Sequence, residues 1–364
     1  SRSSSLKGPL GPFFVGGDGV YYQGRAILEG VERMYKIRVL NSEDLKKLLD
    51  IKDVISAVET AYEQYSRGEA ELFPVIAHEF ERGSRELDIK SGFLSGTGLA
   101  GLKVIGYVAD NPEKRRIPAI SGIVIVLSLE TGRPVGMLDG MVITNIRTGA
   151  AGAIGAKHLA REGSSNILVV GTGAQGRVQV QGLTKVLPGI EVIRAAGRDP
   201  EKLSRFVGEM SVLYPQIHFQ EVPMGGLPEA VSLSDVVVSC TPSHEPLIRA
   251  EWVRPGTHIN AIGADFPGKQ ELDEHLLPLA RLVADSKAQS LEIGEFQTAF
   301  KKGLIGESDV IEIGSILSGE ARGRVNDEEI TIFDTSGMAL QDIVTANLAL
   351  VRALERGIGS LVNL

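Results

Sequence analysis

An apolar run, Asn166-Ile-Leu-Val-Val170, stops at Gly171-Thr172-Gly173-Ala174-Gln175-Gly176 and gives way to a helical pattern through Val186. Few folds accommodate that succession. A buried strand that turns at once into a helix needs a tight turn at the first glycine, an approachable backbone at the second and close helix–strand contact at the third. The helix then opens with free N–H groups and the positive end of its dipole, which together favour a phosphate anion. The loop therefore points to a dinucleotide pyrophosphate, with Gly171, Thr172, Gly173, Ala174, Gln175 and Gly176 as cofactor contacts. The flanking chain agrees. Apolar strand patterns at Ile190–Ala195, Asp235–Ser239 and His258–Ile262 alternate with helical stretches such as Lys202–Met210, the rhythm of a parallel, doubly wound sheet.

The end of the second strand bears on the choice of nicotinamide. An NAD site places an acid about 20 residues after the glycine loop, on the ribose hydroxyls. Here the sequence is Ala195-Ala196-Gly197-Arg198-Asp199. A small residue followed by a guanidinium suits a 2′-phosphate, which arginine binds through charge-assisted, bidentate hydrogen bonds. NADP(H) is thus the expected cofactor, with Arg198 as its contact, and Asp199 keeps NAD(H) possible.

The rest of the chain follows other periodicities. Residues 1–34, with Ser1-Arg-Ser-Ser-Ser5 and Gly/Pro-spaced stretches, read as an N-terminal extension with no apolar secretory core. Asn41 to Arg67 carries apolar residues at helical spacing behind a capping Asn41 or Ser42. Phe73 to Met137 reads as strands punctuated by glycine turns, and the alanine- and glycine-rich stretch from Thr144 to Arg161 as a long helix able to approach another backbone closely. Ile330–Phe333 reads as a short strand and Gly337–Gly357 as a long helix. A net charge of −8 argues against a nucleic-acid partner. The lone cysteine, Cys240, excludes a disulfide framework and fits a cytoplasmic protein. No apolar run reaches the roughly 18 residues of a membrane span. The six histidines show no metal-ligand spacing, so no metal is expected.

Three charged residues outside the loop invite chemistry. Lys103 lies between Leu102 and Val104 on a strand pattern, so its ammonium points away from both. In a cleft it would have a lowered pKa and could exchange a proton; on an open face it would be merely solvated. Arg147 falls near the expected start of the alanine-rich helix, where the dipole disfavours a cation. A carboxylate ligand would account for it, as would an ion pair within the fold. Asp265 follows a sheet strand at the edge where such sheets bind ligands, and could hold a substrate ammonium; it could also be a plain turn residue before Pro267-Gly268.

Several segments resemble the ornithine cyclodeaminase/mu-crystallin family: Gly101-Leu-Lys103, Asp110-Asn111-Pro112, Glu130-Thr-Gly132, Ile143-Thr-Asn-Ile-Arg147-Thr-Gly-Ala-Ala151, Gly171-Thr-Gly-Ala-Gln175, Gly263-Ala-Asp265-Phe-Pro-Gly-Lys269-Gln-Glu-Leu272 and Phe333-Asp-Thr-Ser-Gly337. The resemblance runs from about Lys36 to the C-terminus, and the Gly263–Leu272 stretch is most similar to cyclodeaminases and archaeal alanine dehydrogenases. It implies an α/β fold with a Rossmann dinucleotide-binding domain (161–310) inserted in a mixed α+β substrate and dimerisation domain (35–160, with a return over 311–364), assembled as a homodimer. It also implies hydride transfer at C2 of a small 2-amino or 2-imino acid: an NAD(P)-dependent amino-acid dehydrogenase or imino-acid reductase. The alternatives are a cyclodeaminase that recycles its cofactor and a non-catalytic, crystallin-like NADPH binder. In this reading Lys103 and Asp265 are catalytic, Lys90 and Arg147 bind substrate, and Thr148, Thr241, Ser336 and Gly337 join the cofactor contacts. Lys90 departs from the cyclodeaminases, which carry an acid nearby for the side-chain amine, and a further basic contact is replaced near Val75. Both departures point from ornithine towards a smaller or acidic substrate.

Overall fold

The computed structural model describes residues 36–81 and 83–364, so the expected extension over 1–34 lies outside the described residues. The first of two sheets is built from β1 (Lys36–Leu40), β2 (Ala70–Leu72), β3 (Ile76–Glu81), β4 (Arg85–Leu94), β5 (Leu99–Val108), β6 (Ile120–Ser128) and β7 (Pro134–Asp139). Its order is β1-β7-β6-β5-β4-β2, with β3 also on β4 and the C-terminal strand Ser360–Asn363 on the outer edge of β1. Only β1 and β7 run parallel.

Period-two patterning divides this sheet sharply. Leu94, Leu99, Val124, Val126 and Leu138 are buried on one face, under the helices Ile51–Ser66, Gly140–Leu159 and Ala339–Arg356. Gly92 and Gly101 let the last of these sit close, since a Cβ at either would fall 3.2 and 2.8 Å from Leu340 and Ile343. The helices are locally encoded: Asn41 closes a capping box on Ser42–Leu48, Asp50 caps Ile51–Ser66, and Asp139 caps Gly140–Leu159. The opposite face carries the cross-strand row Ile76, Ile89, Val104, Ile123, and among the described residues no helix lies over it. Ile76 is 57% and Phe80 65% exposed.

The second sheet holds β8 (Asn166–Val170), β9 (Val192–Ala196), β10 (His218–Val222), β11 (Val236–Ser239), β12 (His258–Ala261), β13 (Ala280–Ala284), β14 (Val310–Glu312) and β15 (Ile330–Asp334). All eight are parallel, in the order β10-β9-β8-β11-β12-β15-β13-β14. The strand order reverses between β8 and β11, which is where open α/β sheets form their ligand crevice. The sheets are held together by the helix Gly140–Leu159, whose Gly149 would place a Cβ 2.6 Å from the Val178 carbonyl of the helix Ala174–Val186.

Two expectations need correction. The return to the first domain, expected from residue 311, is interrupted: Ile313–Leu317 packs on the helix Ile51–Ser66, but β15 is then inserted between β12 and β13, and the chain leaves the second sheet for good through Thr335–Met338. A short β-branched strand buried on both faces carries no mark of which sheet it joins. Arg147 also does not begin its helix. Gly140 does, so Arg147 lies about two turns in and feels little of the dipole invoked for it.

Candidate active site

The dinucleotide loop sits at the carboxyl end of β8. Gly171 has φ +117°, and a Cβ there would lie 2.7 Å from the Cys240 carbonyl. Only glycine makes this turn comfortably. A Cβ on Gly173 would meet nothing within 4 Å, so the loop is open where a pyrophosphate would approach. The helix Ala174–Val186 has no side-chain cap on its first turn, leaving its leading N–H groups for an anion. These features fit a dinucleotide. Gln175 ties the loop to the first domain by donating to Asn145 Oδ1 at 3.2 Å.

At the end of β9, a Cβ on Gly197 would lie 2.9 Å from Thr172 Oγ1, so a larger side chain would crowd the loop. Arg198 is exposed. Asp199 is engaged as the cap of the helix Pro200–Leu213, accepting from the N–H groups of Glu201 and Lys202. Cys240 Sγ faces the carbonyls of Val170 and Gly171, and burial pushes its thiol up, away from nucleophilic use. Thr241, after β11, donates from N and Oγ1 to Glu271 at 2.6 and 2.7 Å, while Gly263 N donates to the other oxygen of the same carboxylate at 2.8 Å. Glu271 thus pins together the two loops that flank the crevice.

The basic residues converge. Lys90 on β4 and Lys103 on β5 are direct cross-strand partners, both at most 4% exposed. Lys90 Nζ donates to the carbonyls of Ser336 and Gly337 at 2.8 and 3.1 Å. Lys103 Nζ lies 3.0 Å from Asp342 Oδ2. Arg147 donates from Nε to Asp342 Oδ1 at 3.1 Å and from Nη1 to Gln341 Oε1 at 2.8 Å. Gly337 (φ +85°) passes beneath the guanidinium, where a Cβ would come within 2.6 Å of Nη1. Asp285, at the end of β13, accepts from Thr335 Oγ1 at 2.7 Å and Gly337 N at 3.0 Å. The crossover segment 335–342 therefore grips all three cations and anchors them to the second sheet.

Burial lowers the Lys103 ammonium first, and Arg147 lowers it further; Asp342 pulls the other way, leaving it at about 8. Asp265 lies beyond β12 with about half of its side chain open, 2.6 Å from Lys269 Nζ. Enclosure by the cleft walls raises its carboxyl, but Lys269, Lys90 and Lys103 together hold it below the usual range. Asp88, two residues before Lys90 on β4, is pushed up by burial against the pull of Lys90 and Lys103.

The structure thus brings Lys90, Lys103 and Arg147 into one buried cluster within electrostatic reach of Asp265. Ser336 and Gly337 serve this cluster through their backbones. Thr148 is buried, its hydroxyl turned back to the Thr144 carbonyl. Asp342, Gln341 and Asp285 were not singled out from the sequence. An acid in the first turn of a helix reads as an ordinary dipole partner, and nothing local shows that Asp342 faces inward.

The profile of the ornithine cyclodeaminase/mu-crystallin family matches residues 36–357. Alanine dehydrogenase of Archaeoglobus fulgidus is 38% identical over 323 residues, 88% of this chain and 97% of the relative. Among solved structures, an archaeal alanine dehydrogenase dimer with bound NAD superposes with a TM-score of 0.84 at 38% identity, covering 90% of this chain and 99% of that one. The Δ1-pyrroline-2-carboxylate reductase of Thermococcus litoralis, in complex with NADH and L-proline, does so with a TM-score of 0.84 at 31% identity, covering 90% and 100%.

Proposed function

Because the chain belongs to the ornithine cyclodeaminase/mu-crystallin family, we propose that it is an NAD(P)-dependent oxidoreductase acting at C2 of small 2-imino and 2-amino acids. The observation that carries this reading is the buried Lys90–Lys103–Arg147 cluster, electrostatically coupled to Asp265 at the crevice of the dinucleotide sheet. A 2-imino acid has an anionic carboxylate and a cationic C=N group on neighbouring carbons. It needs fixed cations at one end and a fixed anion at the other. Arg147 and Lys90 hold the carboxylate, and Asp265 holds the nitrogen. Lys103 gives the nitrogen its proton in the reducing direction and removes it in the oxidising one. Gly171 to Gly176 would hold the pyrophosphate of the cofactor, with Thr148, Thr241, Ser336 and Gly337 as its further contacts, and the nicotinamide would supply or accept a hydride. Reduction adds one hydride and one proton across C=N.

The test is a panel of 2-oxo acids with ammonia, of cyclic 2-imino acids and of diamino acids, followed by NADPH and NADH absorbance and by ammonia release. Stoichiometric oxidation of NADPH or NADH supports the reading. Ammonia release from a diamino acid without net cofactor turnover points instead to a cyclodeaminase, and a lack of turnover on the whole panel refutes both.

NADP(H) is the preferred cofactor in this reading, supported by the exposed Arg198 and by the capping role that occupies Asp199. Losing one charge-assisted phosphate contact costs roughly 1.5–3 kcal/mol. Arg198→Ala is accordingly expected to weaken NADPH binding about ten- to a hundredfold by fluorescence titration, and to leave NADH nearly untouched. Equal losses for both would remove the assignment.

Assembly as a homodimer in the cytoplasm belongs to the same reading. The face of the first sheet that no helix of the described residues covers, with Ile76, Ile89, Val104 and Ile123 in one row, is the apolar surface a second copy would cover. Light scattering at micromolar concentration is expected to give twice the chain mass, and Ile76→Lys with Ile123→Lys to give a monomer. A monomeric wild-type protein would refute it. Among the described residues, no helix is long and apolar enough to cross a membrane.

A further inference from the structure

We propose that Asp342 is a positioning residue, a counter-ion shared by Arg147 and Lys103 in the free enzyme that passes to Lys103 alone when a substrate carboxylate engages Arg147. The inference rests on the carboxylate-binding reading of Arg147 given above and assigns a role to a residue outside it. Asp342 is 1% exposed, and its two oxygens face different cations. Oδ1 accepts an aligned hydrogen bond from Arg147 Nε at 3.1 Å. Oδ2 sits 3.0 Å from Lys103 Nζ as an ion pair without hydrogen-bond alignment. One carboxylate thus serves a guanidinium and an ammonium, and the hydrogen bond goes to the guanidinium.

Arg147 is arranged to be the partner that changes. Nε is on Asp342 and Nη1 on Gln341, while Nη2 has no hydrogen-bond partner among the described residues. The open edge of the fork is where a substrate carboxylate can dock. Once it does, the guanidinium has a second anion, and the share of Asp342 available to Lys103 grows. The charged groups that face Lys103 are Lys90 and Asp88 on β4, Arg147 on the helix Gly140–Leu159, Asp342 on the final helix and Asp265 beyond β12. Of these, Arg147 is the strongest cation acting against the Lys103 proton. Neutralising it raises the affinity of Lys103 for its proton. Burial and Arg147 hold Lys103 at about 8 in the free enzyme, so near that pH a gain in proton affinity on carboxylate binding draws a proton onto it. Substrate arrival therefore loads the proton that reduction consumes.

The prediction is read without turnover. Calorimetric titration of the NADPH-bound protein with lactate, a carboxylate with no nitrogen, at pH 8 in buffers of different ionisation enthalpy is expected to show proton uptake on binding. Lys103→Met abolishes the uptake while lactate still binds. Asp342→Asn, which deprives Lys103 of its nearest anion, moves the pH of maximal uptake downward by about one unit, and Asp342→Glu keeps it near the wild-type position. Failure of lactate to bind, binding without proton uptake in the wild-type protein, or an uptake profile unmoved by Asp342→Asn would overturn the proposal. The wild-type measurement and the Glu variant stand even if the Asn variant fails to fold. Uptake without activity on any imino acid would instead count against the oxidoreductase reading alone. Turnover without uptake would count against the role of Asp342 alone.

Discussion

Asp265→Asn is expected to lower kcat at least about a hundredfold while leaving NADPH affinity nearly unchanged, because it keeps the shape of the side chain and removes the charge that fixes the substrate nitrogen. The structure sharpens this expectation. Asp265 is held ionised by Lys269, Lys90 and Lys103, and it is paired with Lys269 at 2.6 Å rather than with a backbone group. An ion pair half open to solvent is weak and easily exchanged, so a cationic nitrogen can replace Lys269 at modest cost. An asparagine offers that nitrogen a neutral carbonyl in place of an anion, and the loss falls on the step in which nitrogen changes charge. Measuring kcat by NADPH absorbance and Kd by fluorescence separates the two effects. Near-normal turnover would remove Asp265 from the chemistry and leave the glycine loop supporting cofactor binding only.

Arg147→Met is expected to reduce kcat/KM by roughly thirty- to several-thousandfold, the scale on which truncating one partner of a buried, hydrogen-bonded charge pair acts (about 2–5 kcal/mol). The substrate carboxylate would lose its bidentate donor, so most of the loss should appear in KM. Arg147→Lys should recover only part, since a point charge cannot reproduce the planar fork. A stability loss accompanies the Met variant. Gln341 Oε1 loses the shorter of its two hydrogen bonds and keeps only Met338 N at 3.3 Å, at about 1 kcal/mol, whereas Asp342 keeps Lys103 and is not left uncompensated. Thermal unfolding followed together with kinetics distinguishes the cases: an unchanged KM with a lowered Tm would make Arg147 a structural ion pair, the plainer of the two readings its sequence position allowed.

Much of the dinucleotide half is legible from the chain because its constraints are local. Gly171 must turn at positive φ, Gly173 must leave its surroundings open, and the helix that follows must begin without a side-chain cap, all within six residues. The placing of Lys103 on the face opposite Leu102 and Val104 is legible for a similar reason, since alternation along a strand decides which face a side chain takes, but only the packed helices make that face the buried one. The family motifs extend this reach to Arg147, Asp265 and Lys90 as residues worth naming.

What those residues touch was decided by the tertiary structure. Lys90 and Lys103 meet Ser336, Gly337 and Asp342 only because the crossover after β15 brings a distant stretch of chain against β4 and β5. No periodicity records a contact across that separation. The same reason hid the membership of β15, whose both-face burial looks alike in either sheet, and the true start of the helix that carries Arg147, which is set by the Asp139 cap and not by where the alanines begin. Chain-local rules specify backbone geometry and side-chain direction, since these depend on neighbours a few bonds away. Counter-ions, burial and the proton affinity of Lys103 depend on groups that only packing makes neighbours.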